Sequence, residues 1–133
     1  MNDCIFCAIV AGASPSLRVA ESDMALAFLD VNPATRGHTL VVPKRHADDI
    51  WDLSVEDSVA TWSLVKETAT MLQAKLKPDG MTLFQANRRA GRQDVFHFHV
   101  HVVPRWTGDA QIRPWESVAA DRSELEHVAA LLR

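Results

Sequence analysis

Tyrosine is absent from this chain, so no tyrosine nucleophile or tyrosine acid enters its chemistry. Cysteine is scarce: 2 residues in 133, too few for a disulfide scaffold. No run approaches the roughly eighteen apolar residues that a membrane-spanning helix needs. The opening Met1-Asn2-Asp3-Cys4 lacks the basic and apolar stretches of a secretory signal, so the expected compartment is the cytoplasm. An excess of basic charge is also missing. Lys and Arg number 14 against 17 Asp and Glu, a net charge of −3 with histidine neutral. That balance argues against a binder of nucleic-acid polymers and leaves room only for a local basic patch. No internal repeat, low-complexity run or linker interrupts the sequence. What is present is a 47% hydrophobic fraction, enough for one full core. A single domain over residues 1–133 is expected.

Residues 3–10 are short and apolar and end at Gly12 and the loop signal Ser14-Pro15-Ser16, which predicts a helical turn. Residues 17–21 and 24–29 read as two strands joined at Ser22-Asp23. Gly37-His38 opens the apolar run Thr39-Leu40-Val41-Val42, stopped by Pro43. Branched residues in so short a run predict a buried strand. The clearest helix spans 55–77, with Ser54 as N-cap and Pro78-Asp79-Gly80 as the stop. Val55, Val59, Trp62, Val65, Ala69, Leu72 and Leu76 form its expected core face. Residues 81–85 and 95–103 are further strands, separated by the polar loop 87–94. A last helix is expected near 123–132, with Asp121 and Glu124 as a weak capping box and His127 exposed. Strands joined mostly by short turns, without alternating βα units, predict an α+β fold. The expected architecture is a mainly antiparallel sheet of about five strands with one long crossover helix.

The informative segment is His97-Phe98-His99-Val100-His101-Val102-Val103-Pro104. Side chains alternate along a strand, so His97, His99 and His101 share one face while Phe98, Val100 and Val102 enter the core. Three histidines at period two, opposite three apolar residues, are a poor choice for packing alone. At about 3.3 Å per residue the outer two start roughly 13 Å apart, so one ion held by all three would require bending. A division of labour is easier, with one end structural and the rest chemical. Imidazole is a competent nucleophile toward phosphorus when its second nitrogen is held by an acceptor. The loop before it offers donors for a phosphate: Asn87, Gln93 and backbone N–H groups near Gly91.

The run HFHVHVV resembles the signature of the histidine triad (HIT) family of nucleotide hydrolases and transferases. The resemblance extends over about 3–106, with 107–133 as a tail and helix. It includes the opening from Asp3 to Gly12, Ala27-Phe28-Leu29-Asp30-Val31-Asn32-Pro33, the stretch from Gly37 to His46, and Val103-Pro104-Arg105. The resemblance implies that His99 attacks the α-phosphate of a nucleotide conjugate and carries it covalently. His101 then contacts the phosphate, with His38 as a proton-relay partner. Asn87, Gly91, Gln93 and Asp94 fall at phosphate or leaving-group positions. Asp30 holds the ribose hydroxyls, and Ile5, Phe6, Phe28 and Val31 wall the base pocket. A carboxylate suits a vicinal diol, and apolar walls suit a flat purine. The chain departs from the family pattern in two places. Arg92 precedes Gln93 where a glycine is usual, and Asp94 stands where Ser or Thr is usual. A carboxylate beside a phosphate is repulsive unless it faces away or is protonated.

Cys4-x-x-Cys7 can supply half of a tetrahedral zinc site, and His46 and His97 can complete it; an empty reduced pair or a redox pair is the alternative. The resemblance implies the first: zinc-bearing bacterial members draw ligands from these positions. Such a zinc would be structural, closed by four protein ligands. Arg88, Arg89 and Arg92 are either a solvated basic loop or contacts for the extra phosphates of a dinucleoside polyphosphate. The resemblance further implies a homodimer whose sheets join edge to edge, with Trp106 and Trp115 in a tail that can reach the partner. Two other readings stay open: a metal-dependent hydrolase or oxygenase using His-x-His, and a nucleotide-binding module without turnover.

Overall fold

The computed structural model describes residues 3–111 and 117–133. Trp115 therefore lies outside the described residues. In chain order the elements are α1 (Ile5–Val10), β1 (Arg18–Glu21), β2 (Ala25–Leu29), β3 (Thr39–Pro43), α2 (Val55–Leu76), β4 (Gly80–Phe84), β5 (Val100–Arg105) and α3 (Arg122–Leu132), with a single 3-10 turn at Arg89–Gly91. The five strands form one sheet of order β1-β2-β3-β5-β4, and every neighbouring pair is antiparallel. This is the expected α+β architecture, with α2 as the long crossover.

β2 and β3 are continuous apolar runs because the sheet is covered on both faces. Ala25, Ala27, Val41, Phe98, Val100 and Val102 pack on one side against Leu64, Val65 and Leu72 of α2. Leu26, Phe28, Leu40 and Val42 pack on the other against Phe6 and Ile9 of α1. Alternation thus sends one set of residues into the core and leaves the histidine face beneath α1.

Three expectations are corrected. The strand expected over 95–103 is regular only as Val100–Arg105. The β3 ladder reaches Val41↔Val100 and stops, because Pro43 has no N–H to extend it. Phe98 donates its N–H to the Ala47 carbonyl instead, at 2.7 Å. On α2 the buried stripe is Thr61, Leu64, Val65, Thr68 and Leu72, while Val55, Val59 and Trp62 face outward. Buried Asp57 at the start of that stripe is reached by both Nε and Nη2 of Arg45, and the Thr61 hydroxyl donates to the Asp57 carbonyl. Asp57 and Thr61 are satisfied locally, which lets them turn inward. Ser54 caps α2 by accepting from the Asp57 N–H, as its sequence predicts. Asp121 stands at the α3 N-cap but makes no side-chain cap bond. His127 is exposed.

Candidate functional site

His99 donates its Nδ1 hydrogen to the His97 carbonyl at 2.7 Å. That places a hydrogen on Nδ1 and turns Nε2 toward the Asp94 carboxylate, 3.2 Å away, itself an acceptor. The ring is buried with Phe6 edge-on to it, centroids 5.1 Å apart. Beside it, His101 is fixed through His38. The Ala34 N–H donates to His38 Nδ1 at 2.9 Å, so the His38 proton sits on Nε2. His38 Nε2–H in turn meets His101 Nδ1 at 2.9 Å, with Asp30 Oδ2 a second acceptor at 3.5 Å. The neutral His101 ring therefore carries its hydrogen on Nε2. Burial pushes the His101 pKa down to about 4, helped by His99 and His38 and opposed by Asp94 and Asp30. Burial lowers His38 as well, against Asp30 and Asp94. Both rings are thus neutral near pH 7.

His97 points the other way. Its Nε2–H donates to the Pro43 carbonyl at 2.8 Å, leaving Nδ1 bare. That Nδ1 lies 3.4 Å from Cys4 Sγ, 3.5 Å from Cys7 Sγ and 3.2 Å from His46 Nδ1, while Cys7 Sγ is 3.3 Å from His46 Nδ1. Zinc bonds of about 2.0–2.1 Å to nitrogen and about 2.3 Å to sulfur imply tetrahedral edges of about 3.3 Å between nitrogens and about 3.6 Å between nitrogen and sulfur. The cluster fits those edges. His46 Nε2–H donates to Asp48 at 2.6 Å, a carboxylate–histidine arrangement that orients a ligand. Burial, with His46 and His99 nearby, lowers the His97 pKa to about 4 against the pull of the Pro43 carbonyl. A neutral imidazole is the form that binds a metal.

A cavity of about 290 Å³ opens over the reactive rings. Ile5, Phe6, Phe28 and Val31 line it together with Asp30, Asp94, His99 and His101.

The family model of the HIT domain matches residues 11–108. The chain belongs to the HIT family. Protein hit of Bacillus subtilis is 37% identical over 121 residues, covering 90% of this chain and 83% of that one. The adenylylsulfatase HINT3 of Arabidopsis thaliana is 34% identical over 125 residues, 94% of this chain and 62% of that one. The crystal structure of a Zn-bound histidine triad family protein from Mycobacterium smegmatis superposes with a TM-score of 0.78 at 38% identity, covering 98% of this chain and 95% of that one.

Three sequence-derived candidates in this HIT protein do not line the cavity. Asn87 exchanges amide bonds with Gln85 and accepts from the Ile50 N–H. Gln93 is buried and fully engaged, bonded to the Asp48 and Val95 carbonyls and the Arg88 N–H. Gly91 sits in the 3-10 turn and is exposed. These residues shape the 87–94 loop. Arg88 pairs with Asp49 and lies over Trp51, and Arg89 lies over Phe96. Sequence reasoning missed Ile9 and Leu40 on the cavity wall. It also missed the locks on the rings: the Ala34 N–H, the Pro43 carbonyl and Asp48. The spacing His46-x-Asp48 and the helical step from Phe6 to Ile9 were the available signals.

Proposed function

We propose that this HIT protein is a nucleotide hydrolase or transferase. It cleaves P–N or P–O–P bonds of nucleotide conjugates, phosphoramidates or dinucleoside polyphosphates, through a nucleotidyl-His99 intermediate. The observation that carries the reading is the orientation of the His99 ring. With Nδ1–H given to the His97 carbonyl, Nε2 is the nitrogen left to attack, at the rim of an apolar cavity of base size. The adenylylsulfatase name of one relative supports nucleotide chemistry. Apolar Ile5, Phe6, Phe28 and Val31 take the base, and Asp30 takes the ribose hydroxyls.

His99 Nε2 bonds to the α-phosphorus as the bond to the leaving nitrogen or oxygen breaks, and the electron pair departs with that atom. The phosphate's negative charge favours protonated His101, with His38 Nε2–H turned to Asp30, and His101 delivers its Nε2 proton to the leaving atom. Water then attacks phosphorus, gives a proton back to His101, and returns the P–N electron pair to His99. His38 and Asp30 hold His101 in place throughout.

Cys4, Cys7, His46 and His97 would hold a structural zinc, which when bound ties the N-terminal segment to the triad. The zinc-bound neighbour supports this assignment. Thiolate ligands suit a reducing compartment, the cytoplasm. No described helix is long and apolar enough to cross a membrane. The working unit is residues 3–106 with 107–133 as tail, in a homodimer. β4 is an edge strand of the sheet and Leu83 on it is 47% exposed, which supports edge-to-edge pairing.

The test is mass spectrometry after brief mixing with adenosine phosphoramidate or diadenosine tetraphosphate. AMP attached to His99 is expected. His99→Ala is expected to abolish turnover and keep nucleotide binding; full activity in a clean His99→Ala preparation rejects the assignment.

A further inference from the structure

We propose that Asp94 sets leaving-group specificity, admitting leaving groups that carry positive charge and turning away those that carry negative charge. The inference rests on the nucleotidyl-transfer reading above. Asp94 Oδ1 stands 3.2 Å from His99 Nε2. A phosphorus poised for attack stands about 3–3.5 Å from its nucleophile. Carboxylate and phosphorus therefore claim the same volume. The Asp94 side chain is 73% exposed and the His99 side chain only 4%, so the carboxylate is the one that gives way.

It gives way toward a second cavity. Asp94, Val95 and Ile5 line both the nucleotide cavity and an adjoining cavity of about 480 Å³, so these residues form the ridge between them. With the nucleoside filling the first cavity, a group leaving the phosphorus crosses that ridge beside Asp94. No Lys or Arg among the described residues lines either cavity, and the second carries Asp3, and Asp48 paired with His46, besides Asp94. Arg88 and Arg89 are engaged elsewhere, on Asp49 and Trp51 and on Phe96. A polyphosphate leaving group brings several negative charges past a carboxylate, and neither cavity wall carries a Lys or Arg among the described residues to receive them. An alkylamine with a distal ammonium brings the opposite sign, and Ile5, Val95 and Phe96 offer surface to its methylenes. In that reaction the P–N bond breaks, its electron pair leaves with nitrogen, and His101 supplies the proton. Asp94 exchanges no proton; it faces the distal charge.

The test compares kcat/KM for three adenosine 5′-phosphoramidates whose alkylamine ends in an ammonium, a neutral amide or a carboxylate. Wild type is expected to rank them in that order, about tenfold apart (about 1.4 kcal/mol per step). Asp94→Asn is expected to compress the spread severalfold. Wild type without a spread, or a spread that persists in Asp94→Asn, overturns the proposal. Calorimetric binding of AMP and ADP reads the same selection without turnover. ADP is expected to bind more weakly than AMP to wild type, with the gap closing in Asp94→Asn, and no gap in wild type overturns the proposal. A protein that shows the gap and never turns over loses the transferase reading alone. Binding of neither nucleotide overturns both.

Discussion

The main chain of His97 orients His99: its carbonyl accepts the Nδ1 hydrogen at 2.7 Å, while its own ring turns Nδ1 into the Cys4, Cys7 and His46 cluster. One residue therefore belongs to both the candidate metal centre and the reactive row. Whatever fixes the His97 ring also fixes the carbonyl that aims the attacking imidazole.

Removing a metal ligand tests that link. Cys4→Ser is expected to lower bound zinc from about one per chain to near zero, measured by elemental mass spectrometry. It is also expected to lower Tm by about 10 °C, from a loss of a few kcal/mol in a domain of this size. Turnover falls with it because the His97 carbonyl loses its anchor. Unchanged zinc stoichiometry rejects the ligand set.

Acid stability follows from the buried rings. His101 titrates near 4 in the fold against 6.5 in the unfolded chain, so between those values the unfolded state binds more protons. Its contribution is fully present above about pH 6.5 and is lost as pH falls toward 4. After allowance for solvent screening it amounts to about 1–2 kcal/mol. Urea unfolding from pH 7 to 4.5 is expected to show a shallower decline in His101→Gln than in wild type. The metal contribution is common to both chains and cancels in the difference. Equal slopes would contradict this account.

Gly37 precedes His38 and β3 with φ +86°, and a Cβ there would stand 2.5 Å from Leu76 Cδ1. Gly37→Ala is expected to cost about 2–3 kcal/mol, from backbone strain and crowding of the α2 end, measured by urea denaturation. A loss under about 0.5 kcal/mol would mean that Leu76 simply swings aside.

The histidine row was legible because period two survives even where the ladder does not: Phe98 enters the core although regular pairing begins at Val100. The α2 face was only partly legible. Val55, Val59 and Trp62 have the right spacing, yet Thr61 and Thr68 occupy the buried side. The Thr61 hydroxyl bonds the Asp57 carbonyl of its own helix, so the rest of that side chain counts as apolar surface, and hydropathy does not record that. Asp57 is buried for a similar reason, since Arg45 lies ten residues outside the α2 pattern. The 87–94 loop was least legible. Whether Asn87 and Gln93 face a ligand or each other's neighbours depends on contacts with residues 48–51, a pairing that no local spacing encodes.

Three of the rings are oriented by main-chain groups: the Ala34 N–H donates to His38, and the Pro43 and His97 carbonyls accept from His97 and His99. A point substitution that does not move the backbone leaves these contacts in place. Mutational drift in the surrounding loops can therefore retune which molecules enter, while these three rings keep their orientation as long as the course of the chain is held.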